Sequence, residues 1–484
     1  LRFVRRRNLR SVIVIGGGIS GLATAFELLE IARAIRLSID VSVLESDSRP
    51  GGKMGTERVG GYLCEVGPNG FLDSKKNVLD FCERVGLSGE LLPARRSSVR
   101  RYLFLRGRLR VLPDSPVSFF LSSAFSVRGK VRMCFEPFIM PAPQGPDETV
   151  SQFGARRLGR EAVDSLLDPF VAGVFAGDPD KLSLSSSFPR IREMEQRYGS
   201  LVKALFALRK KRREEKKVAR ERGVTVAGAA SPRGHLTSLK GGMGQLIETL
   251  AEKIGSRLIT DCPVSSISLS RAEGKVVYQV AGRERFYADA VVLAVPAFEA
   301  AKIVSEVAPC AVEPLLSIPY NAVSVVSLGY QGVQIPRPLD GYGFLVPKKE
   351  GRRILGALWS SAIFPGRALS GKTLLTVMVG GTRQPEYAAL PDGEILRLVR
   401  EELKIVMGIT AQPEFVHIRR HEKAIPQYTV GHALRLKAIE EALSRCPGLF
   451  YTGNAFTGIA MSDCVTSAGQ VAARVADWII SAGR

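Results

Sequence analysis

At 484 residues the chain is longer than a single hydrophobic core usually supports, so several intertwined lobes are expected. An apolar fraction of 45% is that of a folded globular protein and excludes a disordered chain. The formal charge of +21 favours anionic partners, meaning a membrane surface or an acidic substrate, since no zinc-finger spacing or RNP-like aromatic strand points to nucleic acid.

Residues 11–15 read as a β-branched strand, followed by a glycine turn and a helix over 20–36. A second strand, 41–44, ends on Glu45, completing a βαβ unit that opens a doubly wound sheet. Between 78 and 250 the apolar residues recur at helical spacing, interrupted by Pro113, Pro116, Pro137, Pro141 and Pro143. The charge run 209–222 fits a helix or an exposed loop, and 223–234 reads as a flexible connector. Strands return at 257–260, 264–269, 276–281 and 290–295, the last again of doubly wound character. Segments 323–330 and 374–379 read as strands of a second sheet; strand 449–452, a glycine turn and a helix over 467–480 close the chain. The expected class is α/β, α+β overall.

No apolar stretch reaches the roughly 20 residues of a membrane span. Arg2, Arg5, Arg6, Arg7 and Arg10 precede an apolar run, as in a signal peptide, but that run contains Gly16-Gly17-Gly18, which a strand–turn–helix explains better. A clipped organellar transit sequence stays open. The seven cysteines show no C-x-x-C and no histidine at ligand spacing, which argues against zinc, disulfide-reductase chemistry and a secreted disulfide framework. No metal site is expected, and a reducing compartment is.

Gly16, Gly18 and Gly21 form a Gly-x-Gly-x-x-Gly turn between strand and helix. The first glycine permits the tight turn, the second lets backbone approach a pyrophosphate, and the third allows close helix–strand packing. The helix N-terminus, with Ile19 and Ser20, adds N–H groups and the positive end of its dipole. Glu45, followed by Ser46, is placed to accept hydrogen bonds from an adenosine ribose. The continuation through Arg49 to Gly51-Gly52-Lys53 points to FAD, since the glycine pair lets backbone pass under an extended cofactor and Arg49 can neutralise a phosphate. No second Gly-x-Gly-x-x-Gly follows a later strand, so a separate NAD(P)H domain is not expected and electrons should leave to oxygen, a quinone or another acceptor.

Four further segments carry a resemblance. They are Gly67-Pro68-Asn69-Gly70-Phe71, the run DPFVAGVFAGDP from Asp168 to Pro179, Leu239-Lys240-Gly241-Gly242-Met243, and Gly453-Asn454-Ala455-Phe456-Thr457-Gly458-Ile459-Ala460. In that order the chain resembles, over essentially its whole length, the oxygen-dependent, FAD-containing protoporphyrinogen oxidases of the amine oxidase and phytoene desaturase superfamily. The resemblance implies a discontinuous FAD domain (1–88, 226–303 and 446–484), a helical membrane-binding and substrate-entry lobe (89–225) and a mixed-sheet substrate domain (304–445). It implies non-covalent FAD and removal of six electrons from a porphyrinogen, with three oxygens giving hydrogen peroxide. It further implies peripheral attachment to an anionic membrane surface, on the cytoplasmic face of a bacterial inner membrane or on an organellar membrane. Ferrochelatase, the next enzyme of the pathway, is a candidate partner, and the chain is expected as a monomer or homodimer.

By position, Arg101 matches the arginine that pairs with a substrate propionate, a task suited to a bidentate, permanently charged guanidinium. Leu345, Leu358 and Met378 match residues that sandwich the macrocycle, and Gly173 and Val174 match residues lining the cavity near the flavin. Gly67, Pro68, Asn69, Val264, Gly453, Asn454, Gly458, Ile459 and Ala460 match cofactor contacts. None of the four histidines (235, 417, 421 and 432) falls in these segments, and no catalytic acid or base is expected. Three other readings stay open: a coproporphyrinogen III oxidase, an amine or polyene-desaturating oxidase, and a flavin-binding docking protein without turnover.

Overall fold

The computed structural model describes residues 9–482 except 74, 99, 143, 144, 146, 222–233, 273 and 274. Most of the expected connector over 223–234 therefore lies outside the described residues.

The β-branched runs near the chain start assemble into a five-stranded parallel sheet ordered Leu258–Ile259, Ile39–Leu44, Arg10–Ile15, Ala290–Leu293 and Leu449–Tyr451. Both faces are covered, so these strands read as continuous apolar runs and not as alternating ones. Helices Ile19–Ile35, Gly244–Ile254 and Met461–Ser481 cover one face. Helices Ala297–Ile303, Pro309–Leu316 and His432–Leu443 cover the other, with the antiparallel sheet Ser266–Ala272, Lys275–Ala281 and Arg285–Ala288. The last helix starts at Met461, ahead of the residue 467 expected from its apolar spacing.

A seven-stranded mixed sheet follows the order Phe415–His421, Val323–Gln331, Lys372–Gly380, Gly356–Leu358, Gly341–Leu345, Arg100–Leu105 and Arg108–Val111. Its last two strands lie in the segment whose spacing suggested helices. They form a hairpin turned by Arg106 and Gly107, both at positive φ (54° and 71°), and Arg100–Leu105 pairs in parallel with Gly341–Leu345. One face of this sheet packs on helix Asp392–Met407 through Phe104, Phe344, Val377 and Val379.

Between residues 116 and 221 the described chain forms helices joined by short connections. Arg157, Glu136 and Glu195 are sealed inside this lobe, with Arg157 bridging the two carboxylates at 2.9 and 3.4 Å. Glu136 also accepts from the backbone N–H groups of Leu201 and Val202, which start helix Leu201–Glu221. Residues 209–221 of the charge run lie on that helix. None of the described helices is long and apolar enough to cross a membrane.

Candidate cofactor and substrate site

The turn between strand Arg10–Ile15 and helix Ile19–Ile35 has the geometry of a diphosphate cradle. Gly16 sits at φ 107°, and a methyl group on Gly21 would overlap the Gly16 carbonyl oxygen, so both glycines are required by the protein's own packing. Gly18 is different, because a methyl group there would meet no protein atom within 4 Å. Gly18 caps the helix without any side chain occupying its first-turn N–H groups, leaving them for an anion. The floor is completed by Gly51, whose N–H donates to the Gly17 carbonyl at 2.8 Å, and by Gly52 beside it. Ile19 and Ser20 begin the helix, Ser20 being buried.

Glu45 follows the second strand, with its carboxylate held by N–H groups of Gly17 (2.6 Å) and Asp47 (2.9 Å) and by the Ser46 hydroxyl (3.0 Å). The segment leading to Val264 joins it through Cys262, whose N–H donates to the Glu45 carbonyl. Arg49 lies against Gly55, and Gly67 packs so tightly on the Lys53 carbonyl that no side chain fits. Pro68 is exposed, and the Asn69 amide turns back to the Gly67 carbonyl at 3.4 Å. These residues fit an extended FAD from diphosphate to ribose.

At the other end, Gly453 (φ 132°) leaves open space where a side chain would stand. The Tyr428 hydroxyl donates to the Asn454 carbonyl (2.5 Å) and accepts from the Gly458 N–H (2.9 Å), clamping both ends of this turn. Ile459 packs in the adjoining apolar cluster, and Ala460 caps helix Met461–Ser481.

The mixed sheet supplies a wall. Arg101 is in register with Gly343, which pairs with Leu358; two residues on, Leu103 is in register with Leu345, which pairs with Gly356, which pairs with Met378. Steps of two keep a single face, so Arg101, Leu345, Leu358 and Met378 lie together on the face opposite helix Asp392–Met407. Leu345, Leu358 and Met378 are partly exposed in strands that are mostly buried. The Arg101 guanidinium lies 5.3 Å from the Tyr342 ring centre.

Helix Asp168–Phe175 faces this wall. Gly173 touches Leu345, so closely that a methyl group would clash at 2.8 Å, while Val174 on the same helix is 42% exposed. The Asp168 carboxylate fixes the helix start by accepting from the Lys348 N–H (2.7 Å) and pairing with Arg383. At the other end the Phe175 carbonyl accepts from the amides of Asn321 (2.9 Å) and Gln427 (3.0 Å), and Ala176 is held at φ 45°.

The sequence profile of the flavin containing amine oxidoreductases matches residues 19–476. The coproporphyrinogen III oxidase of Bacillus subtilis (strain 168) is 31% identical over 467 residues, covering 94% of this chain and 96% of the relative. The chloroplastic protoporphyrinogen oxidase of Oryza sativa subsp. japonica is 31% identical over 483 residues, covering 96% and 88%. This chain belongs to the flavin-containing amine oxidoreductase family. FAD is its cofactor. The fold agrees: a protein of Exiguobacterium sp. 255-15, provisionally assigned as a protoporphyrinogen oxidase, superposes with a TM-score of 0.80 at 24% identity over 96% of this chain and 98% of that one. Cyclohexylamine oxidase from Brevibacterium oxydans superposes at 0.68 with 18% identity, covering 97% of this chain and 99% of that one.

In this flavin amine oxidoreductase several site-shaping residues escaped the motifs. Tyr428, Gln427 and Asn321 hold the two glycine-bearing segments, yet each is a lone polar residue with no local spacing signal. Lys53 reaches the segment after strand Phe415–His421, donating to the Ala424 carbonyl at 2.6 Å beside the Tyr320 ring, and burial lowers its ammonium to about 8. His417 bonds Glu57 (2.7 Å), His421 bonds the Val66 carbonyl (2.6 Å), and His432 stacks on Tyr428. All three are engaged in holding the fold.

Proposed function

We propose that this enzyme oxidises protoporphyrinogen IX to protoporphyrin IX, with molecular oxygen as the final acceptor. The observation that carries the reading is the wall itself, with partly exposed Leu345, Leu358 and Met378 on one face and the Arg101 guanidinium in line with them. A flat hydrocarbon macrocycle bearing carboxylates calls for that combination. FAD held in the cradle would supply the two-electron redox chemistry.

The chain's own residues bind and orient. Arg101 holds a propionate, while Leu345, Leu358 and Met378 exclude water and keep the ring plane fixed. Gly173, lacking a side chain, brings its helix against Leu345, and the exposed Val174 lines the cavity near the flavin. Removing six hydrogens from the porphyrinogen reduces three oxygen molecules to three of hydrogen peroxide. No side chain is assigned as acid or base.

Coproporphyrinogen III is the second reading, supported by the 31% identity to the Bacillus subtilis enzyme. Assaying purified protein with each porphyrinogen, following porphyrin fluorescence and oxygen uptake together, decides between them. Fluorescence from neither substrate overturns both.

The helical lobe supports peripheral membrane attachment, because Leu121, Phe138 and Met140 are exposed in a segment that also carries Arg128 and Lys130. Flotation with anionic vesicles should weaken with salt; equal flotation with neutral vesicles removes the electrostatic part.

A further inference from the structure

A cavity of about 460 Å³ opens at the strand ends of the mixed sheet, and none of Arg101, Leu345, Leu358 and Met378 lines it. Its lining includes Arg95, Arg337 and Lys372 with the hydroxyl residues Ser361, Ser370 and Thr373, and not one aspartate or glutamate. The guanidinium of Arg337 lies over two rings on the opposite side of the sheet, 5.1 Å from the Tyr102 centre and 5.4 Å from the Trp359 centre. That stacking fixes a cation in place without neutralising it.

The nearest acids are already committed. Asp340 pairs with Arg100 and accepts from the Tyr102 hydroxyl, and Glu414 pairs with Lys372 at 2.6 Å. Among the described residues neither Arg95 nor Arg337 has an ion-pair partner. Two buried donors in the same corner, Arg337 Nε and Trp359 Nε1, also have no protein acceptor. The corner is rich in donors and positive charge and short of acceptors, a balance opposite to that of an ordinary polar surface.

We propose that this cavity binds a phosphate dianion, either inorganic phosphate or the phosphate group of a small metabolite. Two guanidinium groups and nearby hydroxyls match an oxyanion with several acceptor oxygens, and the volume leaves room for more than the anion alone. The site lies apart from the flavin cradle and the substrate wall, so the proposal stands whichever porphyrinogen is oxidised.

The test uses the full chain loaded with FAD, titrated calorimetrically at constant ionic strength with inorganic phosphate, AMP and citrate. Saturable binding of phosphate or AMP at one site per chain is expected, tighter for AMP if the ligand is a metabolite. Arg95→Gln and Arg337→Gln should each weaken it by about 10- to 150-fold, the size of a lost charge-assisted hydrogen bond, with FAD content and porphyrinogen turnover unchanged. Arg95→Gln keeps the test valid should loss of the Arg337 stack impair folding. Heat that never saturates, equal binding by citrate, or full affinity in Arg95→Gln overturns the proposal.

Discussion

Glu65 and Arg367 meet at 3.0 Å with both side chains sealed from solvent, one ending strand Tyr62–Glu65 and the other lying between two strands of the mixed sheet. Glu65 also accepts from the Met243 N–H (3.0 Å) and the Thr56 hydroxyl (2.6 Å), and Arg367 donates to the Ser238 hydroxyl (2.7 Å). Burial raises the Glu65 carboxyl despite the pull of Arg367 in the other direction. Removing one partner strands a buried charge, a loss of about 3–5 kcal/mol. Arg367→Met should therefore lower the denaturant midpoint sharply, and Glu65→Leu combined with it should recover much of the loss. Equal midpoints for the single and double variants would show that packing, not the ion pair, joins the segments.

The two glycines of the cradle separate folding from cofactor binding. Gly18→Val places its side chain in space that no protein atom occupies, so the apoprotein should fold and melt near wild type but purify colourless. Gly21→Val drives into the Gly16 carbonyl and should fail at folding itself. A yellow Gly18→Val protein, with flavin released by acid precipitation, would remove the diphosphate from that position.

Arg101→Ala should raise KM for the porphyrinogen by about 10- to 150-fold, the worth of a charge-assisted hydrogen bond. Because a rim contact acts equally on ground and transition states, kcat should change little. Arg101→Lys should recover part, since an ammonium lacks the fork geometry. Arg106→Gly is the control: its residue sits at φ 54° in the hairpin turn, which glycine adopts freely. Matching KM values in the two variants would dismiss Arg101 as the anchor.

His432 gives the fold a pH dependence of known sign. Its ring lies 4.1 Å from that of Tyr428, and burial, aided by Arg435, lowers it to about 4. The folded state thus prefers the neutral ring. Its contribution is complete above the ordinary histidine value of about 6.5 and is lost as pH falls from there to about 4, in all roughly 3 kcal/mol. His432→Phe preserves the stack without a titrating group, so its melting temperature should fall less than that of wild type between pH 7 and pH 4. Parallel profiles would assign the acid loss to other groups.

The cradle was legible because its information is local: three glycines, a strand before them, a helix after, and Glu45 at the next strand's end. The wall was legible only by resemblance, since its register joins Arg101 to Gly343 across some 240 residues. The hairpin carrying Arg101 was hidden by arginines that interrupt its alternation, although Arg106-Gly107 is a turn signal. The Glu65–Arg367 pair and the amides of Asn321 and Gln427 left no trace at all, because a buried polar residue is defined by partners that the chain brings from elsewhere.

The order of strands in the parallel sheet also sets an order of events in synthesis. Arg10–Ile15 stands at the centre, beside Ala290–Leu293, and Leu449–Tyr451 closes the edge. Helix Met461–Ser481 then packs against Ile19–Ile35, which carries the cradle on its first turn. A growing chain exposes the Gly16–Gly21 turn early, yet the surface that must cover that helix emerges hundreds of residues later. Meanwhile the mixed sheet, whose strands all lie between residues 100 and 421, can mature on its own. Flavin capture is thus a closing event, and for most of its synthesis the nascent chain lacks the surface that would seat its FAD.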